Sequence, residues 1–132
     1  MTKVDVNLIN GIALAFEGDA VYSLYIRRYL IFQGQTKPNQ LHRLATRYVS
    51  AKAQAMLIEA MLDGQLLTQE EDAIYKRGRN AHSHTKAKNT DILTYKKSTG
   101  FEAVLGYLHM TQQIDRLEEL INWCITYVEN RK

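Results

Sequence analysis

Two acids of this chain stand where acids are costly. Asp19 lies within Ala15-Phe16-Glu17-Gly18-Asp19-Ala20-Val21 and Glu102 within Ser98-Thr99-Gly100-Phe101-Glu102-Ala103, both apolar stretches with helical spacing. A carboxylate on an apolar helix face needs a partner, and one divalent cation can serve two of them. Taken singly, each also reads as a lone acid at a helix edge. Positions three, four and seven apart share a helix face, which puts Asp19 on an apolar stripe with Ile12, Ala15, Tyr22 and Ile26. Glu17 is about 200° around the axis from Asp19 and points elsewhere.

The other reactive residue types form weaker patterns. Cys124 is the single cysteine and sits between Trp123 and Ile125. It excludes an internal disulfide and reads as a small buried hydrophobe. His82 and His84 flank Ser83, a spacing that can ligate zinc. No third ligand stands at a suitable spacing, so a polar or phosphate-facing role fits better. Between Lys76 and Lys97 seven bases meet one acid, Asp91. That excess makes Lys76, Arg77, Arg79, His82, His84, Lys86, Lys88, Lys96 and Lys97 candidates for contacts to a phosphate-rich partner. A solvated loop is the competing reading. Tyr22, Tyr25, Tyr29 and Tyr48 suit core or interface positions better than base stacking.

The elements that must position these groups are helices. Apolar residues recur at helical spacing from Leu8 to Phe32 (Ile12, Phe16, Ala20, Leu24), with an Asn10-Gly11 turn near the start and Gly34 as the end. Pro38 suits the first turn of a second helix running to Leu62 and ended by Asp63-Gly64. Thr68 and Glu71 form a capping box for a helix through Ile74 and Tyr75. Residues 78–97 read as an extended basic loop. A further helix starts near Ser98 or Thr99, which would place Glu102 in a first turn favoured by the helix dipole. The last helix carries Ile114, Leu117, Leu120, Ile121, Ile125 and Val128. No alternation is long enough for a strand, so the expected fold is all-α. Gly106, one turn beyond Glu102, would let another helix approach closely and bring Asp19 to Glu102.

Bulk properties agree. With 132 residues, 45% hydrophobic and 23% charged, the chain reads as one globular domain over 1–132 without room for a second module. The N-terminus lacks a signal-peptide run, and no stretch approaches the roughly 20 apolar residues that span a bilayer. A cytoplasmic protein with no membrane partner is expected.

These residues carry a resemblance. Leu14 to Val21 resembles the signature helix of the ribonuclease III family, and Phe101-Glu102-Ala103 with Gly106 resembles that family's second acidic motif. With Leu41-His42-Arg43-Leu44 to Val49-Ser50, Lys76-Arg77-Gly78-Arg79-Asn80-Ala81, and Ser98 to Tyr107, the likeness is closer to the compact Mini-ribonuclease III branch, which lacks a separate double-stranded-RNA-binding domain. The resemblance covers nearly the whole chain. It implies a ribonuclease III-type helical homodimer that cleaves double-stranded RNA. Asp19 and Glu102 would be the catalytic residues and ligands of Mg²⁺ (Mn²⁺ substituting), and Phe16 would lie at the dimer interface. A groove across the dimer would hold the duplex, with maturation of ribosomal RNA precursor (23S) ends as the implied task.

The chain also departs from the larger members. Ile12, Ala15 and Thr99 stand where those keep acids, which predicts water-rich coordination and weaker Mg²⁺ affinity. A catalytically inactive double-stranded-RNA-binding dimer is the first rival reading. A helical protein–protein adaptor is the second.

Overall fold

The computed structural model describes residues 4–81 and 91–131. A short 3₁₀ turn, Val6–Leu8, precedes six helices: α1 Gly11–Phe32, α2 Pro38–Val49, α3 Ala51–Asp63, α4 Gln69–Arg79, α5 Ile92–Met110 and α6 Ile114–Asn130. No strand occurs among the described residues. The all-α expectation holds.

Several boundaries follow from local chemistry. The Asn10 side chain accepts the Ala13 N–H at 2.9 Å and so starts α1. At its far end Gly34 adopts φ +98°, which lets the Gln35 N–H reach the Leu30 carbonyl at 3.1 Å. Pro38 opens α2 where no N–H is needed. Thr68 and Glu71 cap α4 reciprocally, at 3.0 and 3.1 Å. Glu71 is further held by two Arg116 nitrogens, each at 2.8 Å. Burial opposes its charge, but the Arg116 and Thr68 bonds outweigh burial and keep its pKa below the usual range.

Two boundaries differ from the sequence expectation. The span from Pro38 to Leu62 is two helices, because Ser50 takes an extended backbone (ψ 155°) and its hydroxyl accepts the Ala53 N–H at 3.1 Å. No glycine or proline marks this break; a serine cap makes it. The second difference is that α5 begins at Ile92, so residues 92–97 are helical. Asp91 starts it by accepting the Thr94 N–H at 2.7 Å and the Thr94 hydroxyl at 3.0 Å. Ser98 and Thr99 lie inside the helix, and their hydroxyls bond back to the Tyr95 carbonyl at 2.8 and 3.0 Å. Thr99 is therefore no cap. Glu102 stands ten residues beyond the helix start, out of reach of the dipole's positive end.

Helix α5 is the axis of the fold, with α1, α3 and α4 packed around it. From Ser98 to Leu108 every residue except Glu102 is buried. Such a helix lies inside a protein rather than on it. The buried face of α1 carries Leu14, Ala15, Gly18, Val21, Tyr22, Ile26 and Leu30. Phe16, Ala20 and Leu24, part of the apolar spacing that marks this helix, are exposed. Apolar residues surround α1, and the small Gly18 selects the side that meets α5. Tyr22 packs edge-on against Phe101 at 5.1 Å and donates to the Tyr48 carbonyl at 3.0 Å. Cys124 is fully buried, as expected, and burial pushes its thiol pKa up.

Candidate active site

Gly18 and Gly106 create the site. A Cβ built on Gly106 would collide with the Leu14 carbonyl, and one built on Gly18 with the Glu102 carbonyl. Helices α1 and α5 therefore touch backbone to backbone at this crossing. Asp19 directly follows Gly18, and Glu102 lies one turn before Gly106. The crossing thus brings the two acids together, close enough for Asp19 to act on the Glu102 carboxyl. Asp19 is exposed, which corrects the expectation of an acid buried within an apolar stripe. It stands at the rim of the crossing, while Tyr22 and Ile26 on the same stripe are fully buried.

Glu102 is the inner member of the pair. Burial first and the neighbouring Asp19 second push its pKa up to about 9, against a hydrogen bond from Gln54 that works the other way. Gln54 lies on α3 and is only 2% exposed. Its Nε2 donates to the Val49 carbonyl at 3.0 Å and to Glu102 Oε2 at 3.2 Å. Both partners are acceptors, which sets the orientation of the amide. Its Oε1 is buried without a partner. Sequence reasoning missed Gln54. The available signal was a polar residue among Ala53, Ala55, Met56, Leu57 and Ile58 on a short apolar helix.

This donor set fits a hard divalent cation. Two carboxyls pressed together repel once both ionise, and a cation in place of the Glu102 proton removes that penalty. Asp19 and Glu102 would hold it. No group of three or more His, Cys, Asp or Glu residues gathers among the described residues. Water or phosphate oxygens would therefore complete the coordination.

Glu17 is engaged elsewhere, 2.6 Å from His109 Nδ1. Of the basic candidates, Lys76 pairs with Asp72 at 3.1 Å and Lys97 with Glu59. Arg77 donates to the Ile9 carbonyl at 3.2 Å. The Arg79 guanidinium lies 5.5 Å from the Tyr75 ring centroid, and Lys96 is exposed on the first turns of α5. His82, His84, Lys86 and Lys88 lie outside the described residues. A hollow of 360 Å³ between α1 and α2 opens one turn beyond Asp19, at Ser23, and runs past Arg27 and His42 to Val49.

The model of the Ribonuclease III domain family matches residues 12–113, a span that contains both acids and both glycines. The chain belongs to the ribonuclease III family. Mini-ribonuclease 3 of Streptococcus pneumoniae is 71% identical, across 96% of this chain and 98% of the relative. Mini-ribonuclease 3 of Enterococcus faecalis is 65% identical, across 94% of each. A crystal structure of a protein from Fusobacterium nucleatum superposes with a TM-score of 0.79 at 27% identity, covering 92% of this chain and 96% of that one. Two of the three positions at which the chain departs from the larger members are closely packed, and Ile12 is half-buried. Ala15 and Thr99 are each 6% exposed. The site is built on two carboxylates and one amide.

Proposed function

We propose that this ribonuclease III-family chain is a Mg²⁺-dependent endoribonuclease that cleaves double-stranded RNA as a cytoplasmic homodimer. Its 132 residues form one catalytic domain, and its substrate is ribosomal RNA precursor, cut near the 23S ends. The meeting of Asp19 and Glu102 across the Gly18–Gly106 crossing carries this reading. Both acids lie within the span that the family model matches, and the donor set suits an oxygen-loving cation (Mg²⁺, with Mn²⁺ as a substitute). The cation, when bound, supplies a Lewis acid and an activated water for phosphodiester hydrolysis.

The protein's own part is positioning and charge. Asp19 stands at an open rim, where a phosphate backbone can approach. Glu102 lies behind it, half-buried, with a carboxyl pKa pushed up to about 9 by burial and by Asp19, and must release its proton to act as a ligand. Lys76, Arg77, Arg79, Lys96 and Lys97 provide cationic contacts to an A-form backbone, which is read by shape more than by sequence. His82, His84, Lys86 and Lys88 belong to the same basic stretch of sequence.

The homodimer is supported by an unpartnered apolar stripe beside Asp19. Phe16 is 83% exposed and Leu24 62%, and a contiguous apolar patch on a soluble helix marks an interface. Two copies joined through this stripe would set two acid pairs along one groove. No described helix is long and apolar enough to cross a membrane.

One comparison tests the reading. A perfect RNA duplex is incubated with the protein, with and without Mg²⁺, beside an Asp19→Asn variant. Cleavage that needs both the metal and Asp19 is expected. Duplex that is retarded on a gel but never cut would overturn catalysis and leave a non-catalytic RNA-binding dimer.

A further inference from the structure

We infer that Gln54 is a positioning residue for the cation at Asp19 and Glu102, fixing which Glu102 oxygen is free to ligate it. The inference rests on the metal-dependent reading above. It begins at the Ser50 break. In a continuous helix the Val49 carbonyl would accept the N–H of residue 53. Here the Ala53 N–H goes to the Ser50 hydroxyl and the Gln54 N–H to the Ser50 carbonyl at 2.9 Å. The Gln54 side-chain amide bonds the Val49 carbonyl instead. One amide hydrogen is thereby tied to the backbone, and the other is aimed at Glu102 Oε2. A Gln with both hydrogens committed has little rotamer freedom left.

Packing alone does not account for this side chain. Gln54 leaves a buried Oε1 with no partner, and an unpartnered buried acceptor destabilises a fold. A leucine or methionine would fill the same space without that orphaned oxygen, though it would leave the Val49 carbonyl and Glu102 Oε2 without this donor. What the amide adds is a donor to the ionised form of Glu102, opposing burial and Asp19. With Oε2 engaged by Gln54, Oε1 is the oxygen we assign to the cation. Partners of this kind hold a ligand in its binding orientation, and their loss weakens metal affinity. In a site with only two acids, that support bears on a large share of the coordination the protein provides.

The test uses the full chain and Gln54→Leu, with Gln54→Met as a second variant in case branching at Cγ disturbs the fold. Mn²⁺ binding to the RNA-free proteins is measured by isothermal titration calorimetry, and duplex cleavage is followed across a Mg²⁺ titration. Thermal melting without metal identifies the folded variants. The Kd for Mn²⁺ should weaken by about tenfold or more. The Mg²⁺ concentration for half-maximal cleavage should rise by a similar factor, with kcat recovering at saturating Mg²⁺. A purely structural role would not move the metal dependence in this way. A folded variant with unchanged Mn²⁺ affinity overturns the role of Gln54 and leaves the nuclease reading standing. A wild-type protein that binds no Mn²⁺ overturns both.

Discussion

Gly106→Ala tests the geometry on which the site depends. An alanine replacing glycine inside an exposed helix stabilises it by about 1 kcal/mol. At Gly106 the opposite is expected. The added methyl would overlap the Leu14 carbonyl oxygen and lie 2.9 Å from both the Leu14 carbonyl carbon and the Gly18 nitrogen. These are backbone atoms of α1, so no flexible side chain can yield. Restoring ordinary contact at 3.4 Å moves the two backbones apart by roughly 1.5 Å, since close-packed interiors hold no slack. Overpacking of this kind costs about 3 kcal/mol, or ~10 °C in melting temperature for a domain of this size. The same displacement separates Asp19 from Glu102. A misplacement of about 1 Å at a reacting site can lower the rate by ~100-fold. Thermal melting by circular dichroism reads the first effect, and duplex cleavage at saturating Mg²⁺ below the melting transition reads the second. A variant as stable and as active as the wild type would refute the backbone contact and the account of how the acids meet.

Two further outcomes follow from the same structure. Glu102 has a pKa of about 9 in the fold against 4.5 for the free group, so the metal-free fold holds this proton more tightly than the unfolded chain does. Its contribution is then most favourable below about pH 4.5 and is lost as pH rises towards 9, at no more than ~1.4 kcal/mol per pH unit. Glu102→Gln should abolish cleavage and melt at an increasingly higher temperature than the metal-free wild type as pH rises; parallel pH profiles would contradict the burial argument. Phe16→Asp places a charge in the exposed stripe of α1 and should convert a dimer to a monomer in equilibrium sedimentation, with loss of duplex cleavage. An unchanged mass would remove α1 from the interface.

Much of this molecule is legible in its sequence because the informative interactions are local. The Asn10 cap, the Thr68–Glu71 box and the Gly34 terminus each involve residues within a few positions of one another. Gly106 announced a close helix approach because only a missing side chain permits one. The start of α5 was equally local, since Asp91 caps Thr94, but its lysines disguised the helix as a loop. The break at Ser50 was hidden for a related reason, because a serine can cap a helix or sit unnoticed within one.

Other features depended on three-dimensional packing. Sequence by itself determined that the fold is helical, that Asp19 and Glu102 are its chemically unusual acids, and that Gly106 lets another helix approach closely. Only the tertiary structure decided which side of α1 is buried, because apolar residues run all around that helix and Gly18 chooses the face. It decided too that Asp19 is exposed while Glu102 is half-buried, which sets their unequal tasks. Gln54 belongs to the site through contacts 48 residues apart in the chain. Periodicity within a single helix carries no record of such a partner, because burial and long-range hydrogen bonding arise only when helices pack against one another.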